Sequence, residues 1–283
     1  MSDEVVMQLA KKFIARSDVK ALQHYDRDQK VIYSPTETGF EFEDLEAHLA
    51  GTKTYGHYLL NQDDTCKLIT FDVDLKDHGL LPAGYDENGI PTGFEDTEQT
   101  RPMNKKALID EWHDRESPHR NWHKFLMCQF ARELSEAIGT VLQLQTATAY
   151  SGNKGFHVYG FMSEPTPAAD VRMGAGMAIE ALNFFVPLKG NISVHFSYDD
   201  YLDAGNPPSL LAQAFENFSV EIFPKQDSLE GKGFGNLVRL PLGTNLKNPD
   251  DPTFFFDVLR IPIEMGNCFT PVDPEWALSY LEA

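Results

Sequence analysis

The chain has 283 residues, of which 42% are hydrophobic and 24% are charged, with 24 basic residues against 43 acidic ones. This composition excludes an intrinsically disordered chain, a collagen and a disulfide-dense mini-protein, and the length suits one large domain or two small ones. The formal net charge of −19 excludes a protein that coats nucleic acid through a generally basic surface. Any contact with nucleic acid is therefore expected in a groove with local positive charge.

The cysteines and the N-terminus indicate a cytoplasmic protein. Cys66, Cys128 and Cys268 are widely separated and form no C-x-x-C pair, so we expect reduced, buried thiols. The first residues, Met-Ser-Asp-Glu, are too acidic for a signal peptide. No apolar run approaches the ~20 residues of a membrane span, so no membrane partner is expected.

Residues 1–62 are predicted to form an N-terminal αβ unit. Apolar residues at helical spacing predict a first helix from about Asp3 to Ile14 and a second around residues 42–49, ended by Gly51. Short strands are predicted at 30–33, where Ser34-Pro35 should end the strand, and at 55–60. The predicted order of this unit is helix, strand, helix, strand.

Residues 63–250 are predicted to form a sheet-based module, and residues 251–283 a C-terminal extension. A strand over 66–74 is followed by a long acidic insertion, 75–116, with a short helix near Lys105–Trp112. Ser117-Pro118 opens a helix that Gly139 should end. Further strands are predicted at 141–150, 157–161, 218–223 and 236–240, with helices between them and a last helix capped by Asp273. The order predicts a single α+β domain.

The first motif with possible chemistry is Phe71-Asp72-Val73-Asp74. Strand side chains alternate between faces, so Asp72 and Asp74 lie on one face while Val73 points into the core. Two neighbouring carboxylates repel each other unless a divalent cation lies between them. The alternative interpretation is a solvent-exposed strand end.

The second motif is Ser151-Gly152-Asn153-Lys154-Gly155-Phe156-His157. Two glycines allow a tight turn and close approach of the backbone to a ligand. Backbone N–H groups, the Ser151 hydroxyl, the Lys154 cation and the His157 ring together suit a phosphate chain. A hairpin loop with a core histidine is the alternative, and the motif is not a Walker loop because no G-K-[ST] end is present.

The third motif is Val220-Glu221-Ile222-Phe223-Pro224-Lys225, followed by a segment from Gly233 to Leu242 that contains Arg239. Glu221 stands between apolar residues on a strand, and a lone buried carboxylate needs a partner such as a metal or a cation. Residues 221–247 contain three acidic and four basic residues, a local reversal of the overall charge. A cross-strand ion pair of Glu221 with Arg239 is the alternative.

The three motifs, in this order, resemble those of the archaeo-eukaryotic primase superfamily, and most closely the primase-polymerases of phages and of TOTE conflict systems. The resemblance covers roughly Leu45 to Asn245, with shorter similarities at 48–51, 55–58 and 64–66. It implies an α+β archaeo-eukaryotic primase fold, in which the N-terminal αβ unit precedes an RRM-like catalytic module. The insertion at 75–116 departs from the family core.

The resemblance implies a primase-polymerase that uses nucleoside triphosphates, with dNTPs expected, on a DNA template and primer. It implies that Asp72, Asp74 and Glu221 are catalytic and bind two divalent cations, Mg²⁺ or Mn²⁺. Nucleotide-binding roles are implied for Ser151, Lys154, His157, Arg239, Lys225 and Asn236. The resemblance also admits a helicase domain or protein as a partner, and the cytoplasm of a bacterium or a phage-infected host as the location.

Several alternatives stay open. Tyr58, on the strand before the first motif, could gate the sugar, and the alternative is a packed strand tyrosine. A metal-dependent nuclease would use the same three carboxylates without a triphosphate clamp. A non-catalytic RRM-like module would stack RNA bases on exposed sheet aromatics, where this chain carries carboxylates. The spacing of His113, His119, His123 and Cys128 fits no standard zinc site.

Overall fold

A computed structural model describes residues 2–77, 79–95, 107–182, 185–187, 193–231, 233–265 and 269–281. Residues 78 and 96–106 of the insertion, Lys232 and Cys268 lie outside the described residues. The described part contains helices and antiparallel sheets, so the α+β prediction is confirmed.

The helices begin where the sequence provides a cap. Ser2, Ser117 and Asp273 each accept a hydrogen bond from a first-turn N–H. The described helices are α1 (Asp3–Phe13), α2 (Phe42–Leu49), α3 (Ala107–His113), α4 (Pro118–Leu142), α5 (Ala168–Glu180), α6 (Tyr198–Asp203), α7 (Leu210–Ala214), a 3₁₀ turn (Phe215–Asn217) and α8 (Pro274–Ser279). Helix α4 continues past Gly139, so the predicted end there is wrong. One interior glycine costs only ~1 kcal/mol, and the packing of α4 against the sheet outweighs it.

Six of the described strands have no counterpart in the prediction. The described strands are β1 (Lys20–Tyr25), β2 (Val31–Thr36), β3 (Thr54–Tyr58), β4 (Thr65–Leu75), β5 (Pro82–Tyr85), β6 (Pro91–Phe94), β7 (Gln145–Tyr150), β8 (Gly155–Pro167), β9 (Phe185–Pro187), β10 (Ser193–Phe196), β11 (Phe218–Phe223), β12 (Leu237–Arg239) and β13 (Phe254–Phe255). The sequence prediction missed β1, β5, β6, β9, β10 and β13. It also ended β2 too early, because Pro35 is tolerated in an edge strand that lacks one partner.

Two sheets face each other and build the site. The larger sheet has seven strands in the order β13-β7-β8-β4-β11-β10-β9, and the smaller has the order β12-β3-β1-β2. Strands β5 and β6 form a separate hairpin within the insertion. Strand β12 pairs with β3, so the smaller sheet combines residues from both sides of the boundary predicted at residue 62.

The two faces of β4 have different surroundings. Ile69, Phe71 and Val73 are buried in the main core with residues of α4 and α5. The alternate residues face the smaller sheet, where Leu68 belongs to a second core with Tyr159 and other apolar side chains. Further along the same face, the side chains change from apolar to acidic, at Asp72 and Asp74. The period of two in the strand therefore directs both carboxylates into the space between the sheets.

None of the described helices is both long enough and apolar enough to span a membrane.

Three buried histidines should make the fold labile to acid. Burial lowers the pKa of His48 to about 4 and the pKa values of His57 and His123 to about 3, from an ordinary value of 6.5. As the pH falls from 6.5 towards 4, the three histidines become protonated in the unfolded chain but stay neutral in the native state. Asp74 opposes this by one proton, because its pKa is raised to about 7 in the native state.

Together, these four groups bind two more protons in the unfolded chain than in the native state. The free energy of unfolding should fall by about 2 to 3 kcal/mol per pH unit between pH 6 and 4. Urea unfolding at several pH values measures this slope. His123→Leu should reduce it by about 1.4 kcal/mol per pH unit, whereas an unchanged slope would contradict the assignment.

Candidate active site

One row of side chains crosses three adjacent strands of the larger sheet. In the strand register, Asp72 of β4 lies opposite His157 of β8 on one side and opposite Glu221 of β11 on the other. Residues directly opposite in antiparallel strands share a face and have Cβ atoms about 5 Å apart. The first, second and third motifs are therefore brought together in a single row.

Asp74 lies in the next row, between Gly155 of β8 and Ser219 of β11. A Cβ atom at Gly155 would collide with the Val73 carbonyl and with Asp74 Oδ1. Glycine is thus required here by close approach, because the Val73 backbone carbonyl and the Asp74 carboxylate occupy the space that a Cβ atom would need. This gives the second glycine of the S-G-N-K-G motif a structural role beside the first motif.

The pKa values of the two aspartates are shifted in opposite directions. Burial, and next the charge of Asp72, raise the pKa of Asp74 to about 7, and Glu221 adds to this effect against Lys154 and Lys247. For Asp72, burial would raise the pKa, but His157 together with Arg239 and Lys225 holds the pKa of this carboxyl below its usual range. The negative charge of Asp74 is therefore poorly compensated in this site, which favours a bound cation beside it.

Each of the three carboxylates contacts a basic side chain. Asp72 Oδ1 lies 3.3 Å from His157 Nε2, and Asp74 Oδ2 lies 3.9 Å from Lys154 Nζ. Glu221 Oε2 lies 2.9 Å from Lys225 Nζ.

The Glu221 side chain is 43% exposed, so the expectation of a buried carboxylate is wrong. The alternative ion pair with Arg239 is also absent among the described residues, because β11 and β12 belong to different sheets.

Oxygen donors of the right type for Mg²⁺ or Mn²⁺ are present, but they are not gathered around one point. In the described ranges, no three His, Cys, Asp or Glu side chains converge as a ready metal site. The carboxylates are instead turned towards His157, Lys154 and Lys225. Their strand positions and the raised pKa of Asp74 fit divalent cations, provided that side chains rotate away from their present partners.

The loop between β7 and β8 is fixed by its own hydrogen bonds and by a contact with the insertion. Gly152 has φ of +68°, which favours glycine, and the Ser151 N–H donates to the Gly155 carbonyl at 2.9 Å. The Asn153 carbonyl accepts from Trp112 Nε1 at 2.5 Å and from the Tyr150 hydroxyl at 2.9 Å. Trp112 belongs to α3, so the described end of the insertion fixes the loop that carries Lys154.

Arg239 reaches the same loop from the other sheet. Its guanidinium donates to the Ser151 carbonyl at 2.5 Å and to the Gly243 carbonyl at 3.0 Å. Asn245 Nδ2 donates to the Ser151 carbonyl as well, at 2.9 Å. Arg239 is buried and ties β12 to the β7–β8 loop, and its Nη1 also lies 3.5 Å from the Leu240 carbonyl. Within the described part of the chain its Nε–H has no hydrogen-bond partner and is available to a ligand.

A cleft between the two sheets collects these groups. Its volume of about 170 Å³ exceeds the space of one water molecule many times. Predicted residues in its lining are Asp72, Asp74, Ser151, His157 and Arg239. Glu221 and Lys154 lie beside it, next to Asp72 and Asp74.

The sequence analysis missed five polar residues of the lining: Gln23, Tyr33, Asn153, Asn245 and Lys247. Gln23 and Tyr33 come from the β1–β2 pair, and Gln23 Nε2 donates to the Tyr33 hydroxyl at 3.0 Å. Burial raises the pKa of Tyr33 to about 12, so its hydroxyl stays protonated. Lys247 had a usable signal, since it is one of the four bases that reverse the local charge.

Besides Lys154, three predicted nucleotide-binding residues lie outside the cleft lining. Tyr58 is buried and packs against Phe234, with ring centroids 5.6 Å apart, as in the alternative of a packed strand tyrosine. Asn236 has a buried Oδ1 without a hydrogen-bond partner among the described residues. Lys225 pairs with Glu221 and lies 4.6 Å from the Phe223 ring centroid, beside the cleft.

Comparison with known proteins identifies the family. A family model described as the archaeo-eukaryotic primase domain of TOTE conflict systems matches residues 4–183 and 209–264, well over half of the chain. The solved polymerase domain of Mycobacterium tuberculosis ligase D, in complex with DNA, is similar at 9% identity and a TM-score of 0.43, over 98% of this chain and 86% of that one. No curated protein matches significantly. The chain therefore belongs to the archaeo-eukaryotic primase domain family of TOTE conflict systems, and its general function is nucleotidyl transfer of the primase or polymerase kind.

Proposed function

We propose that this chain is a primase-polymerase that adds nucleotides, with dNTPs as substrates, to a strand paired with a DNA template. The observation that carries the proposal is the row of Asp72, Glu221 and His157, next to Asp74, at a cleft whose other wall supplies Arg239. Carboxylates can hold metal ions, and the basic side chains beside them can bind the phosphates of a nucleotide that enters together with those ions. The family supports the same class of reaction.

In this proposal, one group of cleft residues binds metal ions and another group binds the triphosphate. Asp72, Asp74 and Glu221 would hold two divalent cations, Mg²⁺ or Mn²⁺. When bound, these cations supply the charge that activates a 3′-hydroxyl and stabilises the leaving pyrophosphate. His157 and Lys154 donate hydrogen bonds towards the triphosphate, Lys154 also contributes its charge, and Arg239 adds its remaining N–H groups. The Ser151–Lys154 loop orients the phosphates through its backbone and the Ser151 hydroxyl.

We propose a second groove as the path of the DNA. Lys247 lines both the cleft and a neighbouring groove of about 650 Å³, which also contains His113 and Arg115. Lys247 and Arg115 are exposed, and such side chains contact phosphates on an otherwise acidic protein. Asp250 and Asp251 also line the groove, and Asp251 lies 3.5 Å from Arg115, so Lys247 is the main cation offered to a phosphate. This groove suits a template or primer strand that leads to the carboxylates.

A primer-extension assay tests the proposal. A labelled primer–template and a bare template are incubated with dNTPs or NTPs, and with Mg²⁺ or Mn²⁺. We expect primer extension that requires a template, a nucleotide and a divalent cation, because the carboxylates then hold the cations and the basic side chains hold the triphosphate. His157→Ala should raise the nucleotide KM about tenfold or more while primer–template binding stays unchanged, since one charge-assisted hydrogen bond to phosphate is lost.

Other outcomes would identify the alternatives. Cleavage of the strand without nucleotide would indicate a metal-dependent nuclease. Nucleic-acid binding that is independent of Mg²⁺ and nucleotide, without extension, would indicate a non-catalytic module. Extension with NTPs but not dNTPs would correct the proposed substrate and keep the reaction type.

A further inference from the structure

Tyr159 contacts the His157 ring on the side away from Asp72. Strand β8 places Tyr159 two residues after His157, so both side chains are on the same face of the sheet. The Tyr159 side chain is fully buried, and its hydroxyl oxygen lies 2.7 Å from His157 Nδ1. Nε2 of the same ring lies 3.3 Å from Asp72 Oδ1. The imidazole is therefore held at both nitrogens.

These two contacts decide which nitrogen of the neutral ring carries the proton. An ionised carboxylate only accepts hydrogen bonds, so the nitrogen that faces Asp72 is the one with the N–H. Nδ1 is then the acceptor, and the Tyr159 hydroxyl is its donor. Burial raises the pKa of Tyr159 above its usual value, which keeps this donor protonated.

We infer that Tyr159 is a positioning residue for His157, whose hydroxyl keeps the ring proton on Nε2 and holds that N–H at the cleft. The inference rests on the proposed function, in which His157 binds the triphosphate. A phosphate oxygen accepts a hydrogen bond as the Asp72 carboxylate does, so the same N–H serves both partners. Without the Tyr159 hydroxyl, a neutral ring can carry its proton on Nδ1 and present a lone pair to the phosphate, which repels it.

Tyr159→Phe, which removes only the hydroxyl, tests the inference in the full chain. Long-range ¹H–¹⁵N spectra of the histidine rings at pH 8 report the protonated nitrogen directly. We expect the Nε2–H form of His157 in the wild-type chain. In the variant only Asp72 still favours this form, so we expect a measurable share of the Nδ1–H form. The nucleotide KM should rise about fivefold to tenfold with kcat changed less than twofold, the effect of one misaligned hydrogen bond.

Tyr55→Phe is the matched control. Tyr55 is also buried, and its hydroxyl donates to Asp44 Oδ1 at 2.7 Å outside the cleft lining. This variant loses a comparable hydrogen bond and should leave both the His157 spectrum and the nucleotide KM unchanged. In a His157→Ala background, Tyr159→Phe should have no further effect on the KM, because the two residues act through one ring.

Three results would overturn the inference. These are an Nδ1–H form of His157 in the wild-type chain, an unchanged His157 spectrum in Tyr159→Phe, or the same rise in KM with and without His157. The first needs no variant, so it can overturn the inference even if Tyr159→Phe fails to fold. A chain that transfers no nucleotide would refute the proposed function, while the ring spectra would still decide the role of Tyr159.

Discussion

Replacing Asp72 or Asp74 by asparagine should reduce primer extension by at least about a thousandfold and leave the fold intact. Each substitution removes a charged oxygen donor from the row of carboxylates without changing the shape of the side chain, and such donors contribute several kcal/mol in metal-assisted phosphoryl transfer. The measurements are the extension rate at saturating primer–template and the free energy of unfolding in urea.

The stability readout separates the two aspartates. Asp74 has its pKa raised to about 7 by burial and by Asp72, so its charge opposes folding at neutral pH. Asp74→Asn should therefore keep or slightly increase the free energy of unfolding at pH 8. Asp72→Asn should decrease it modestly, because the pKa of Asp72 is held low by favourable contacts with His157.

Asp77→Asn is the control for both variants. Asp77 Oδ1 lies 3.4 Å from Lys154 Nζ, nearer than Asp74, but Asp77 is 68% exposed and does not line the cleft. Loss of this surface pair should change extension by less than about threefold. If Asp72→Asn or Asp74→Asn extended primers as the wild-type chain does, the carboxylate row would not be the catalytic centre.

The relation of the three motifs could be predicted from sequence only in part. Alternation along β4 places Asp72 and Asp74 on one face, and this needs no more than the strand period. That β8 and β11 are the two neighbours of β4, with His157 and Glu221 opposite Asp72, depends on long-range strand pairing. The family resemblance supplied that information, and local patterns did not.

The second wall of the cleft was not predictable by the same means. Strand β1 reads Lys-Ala-Leu-Gln-His-Tyr, in which the polar Gln23 is buried, so its pattern does not alternate as a half-exposed strand should. Missing β1 also hid the positions of Gln23 and Tyr33 in the cleft. The contact of Trp112 with Asn153 joins residues 41 apart in sequence, and tertiary packing alone creates it.

Arg239→Lys should impair both stability and catalysis, although it keeps the positive charge. Arg239 spans two carbonyls from different segments, those of Ser151 and Gly243, and a single ammonium group lacks the fork that reaches both. We expect the free energy of unfolding to fall by about 2 kcal/mol, as a buried carbonyl loses a charged donor. The kcat/KM for nucleotide should fall about tenfold to a hundredfold, because the Ser151–Lys154 loop loses its link to β12.

Arg132→Lys is the matched control for this substitution. Arg132 also donates to two backbone carbonyls, those of Val258 at 2.7 Å and Ile261 at 3.3 Å, but it lies on α4, away from the cleft lining. It should lose comparable stability and keep its kcat/KM. If Arg239→Lys lost stability but kept full activity, Arg239 would have only a structural role, in linking the two sheets. If instead it kept its stability and lost nucleotide affinity alone, the guanidinium would act on the triphosphate directly, and the link between β12 and the Ser151 carbonyl would be incidental to catalysis.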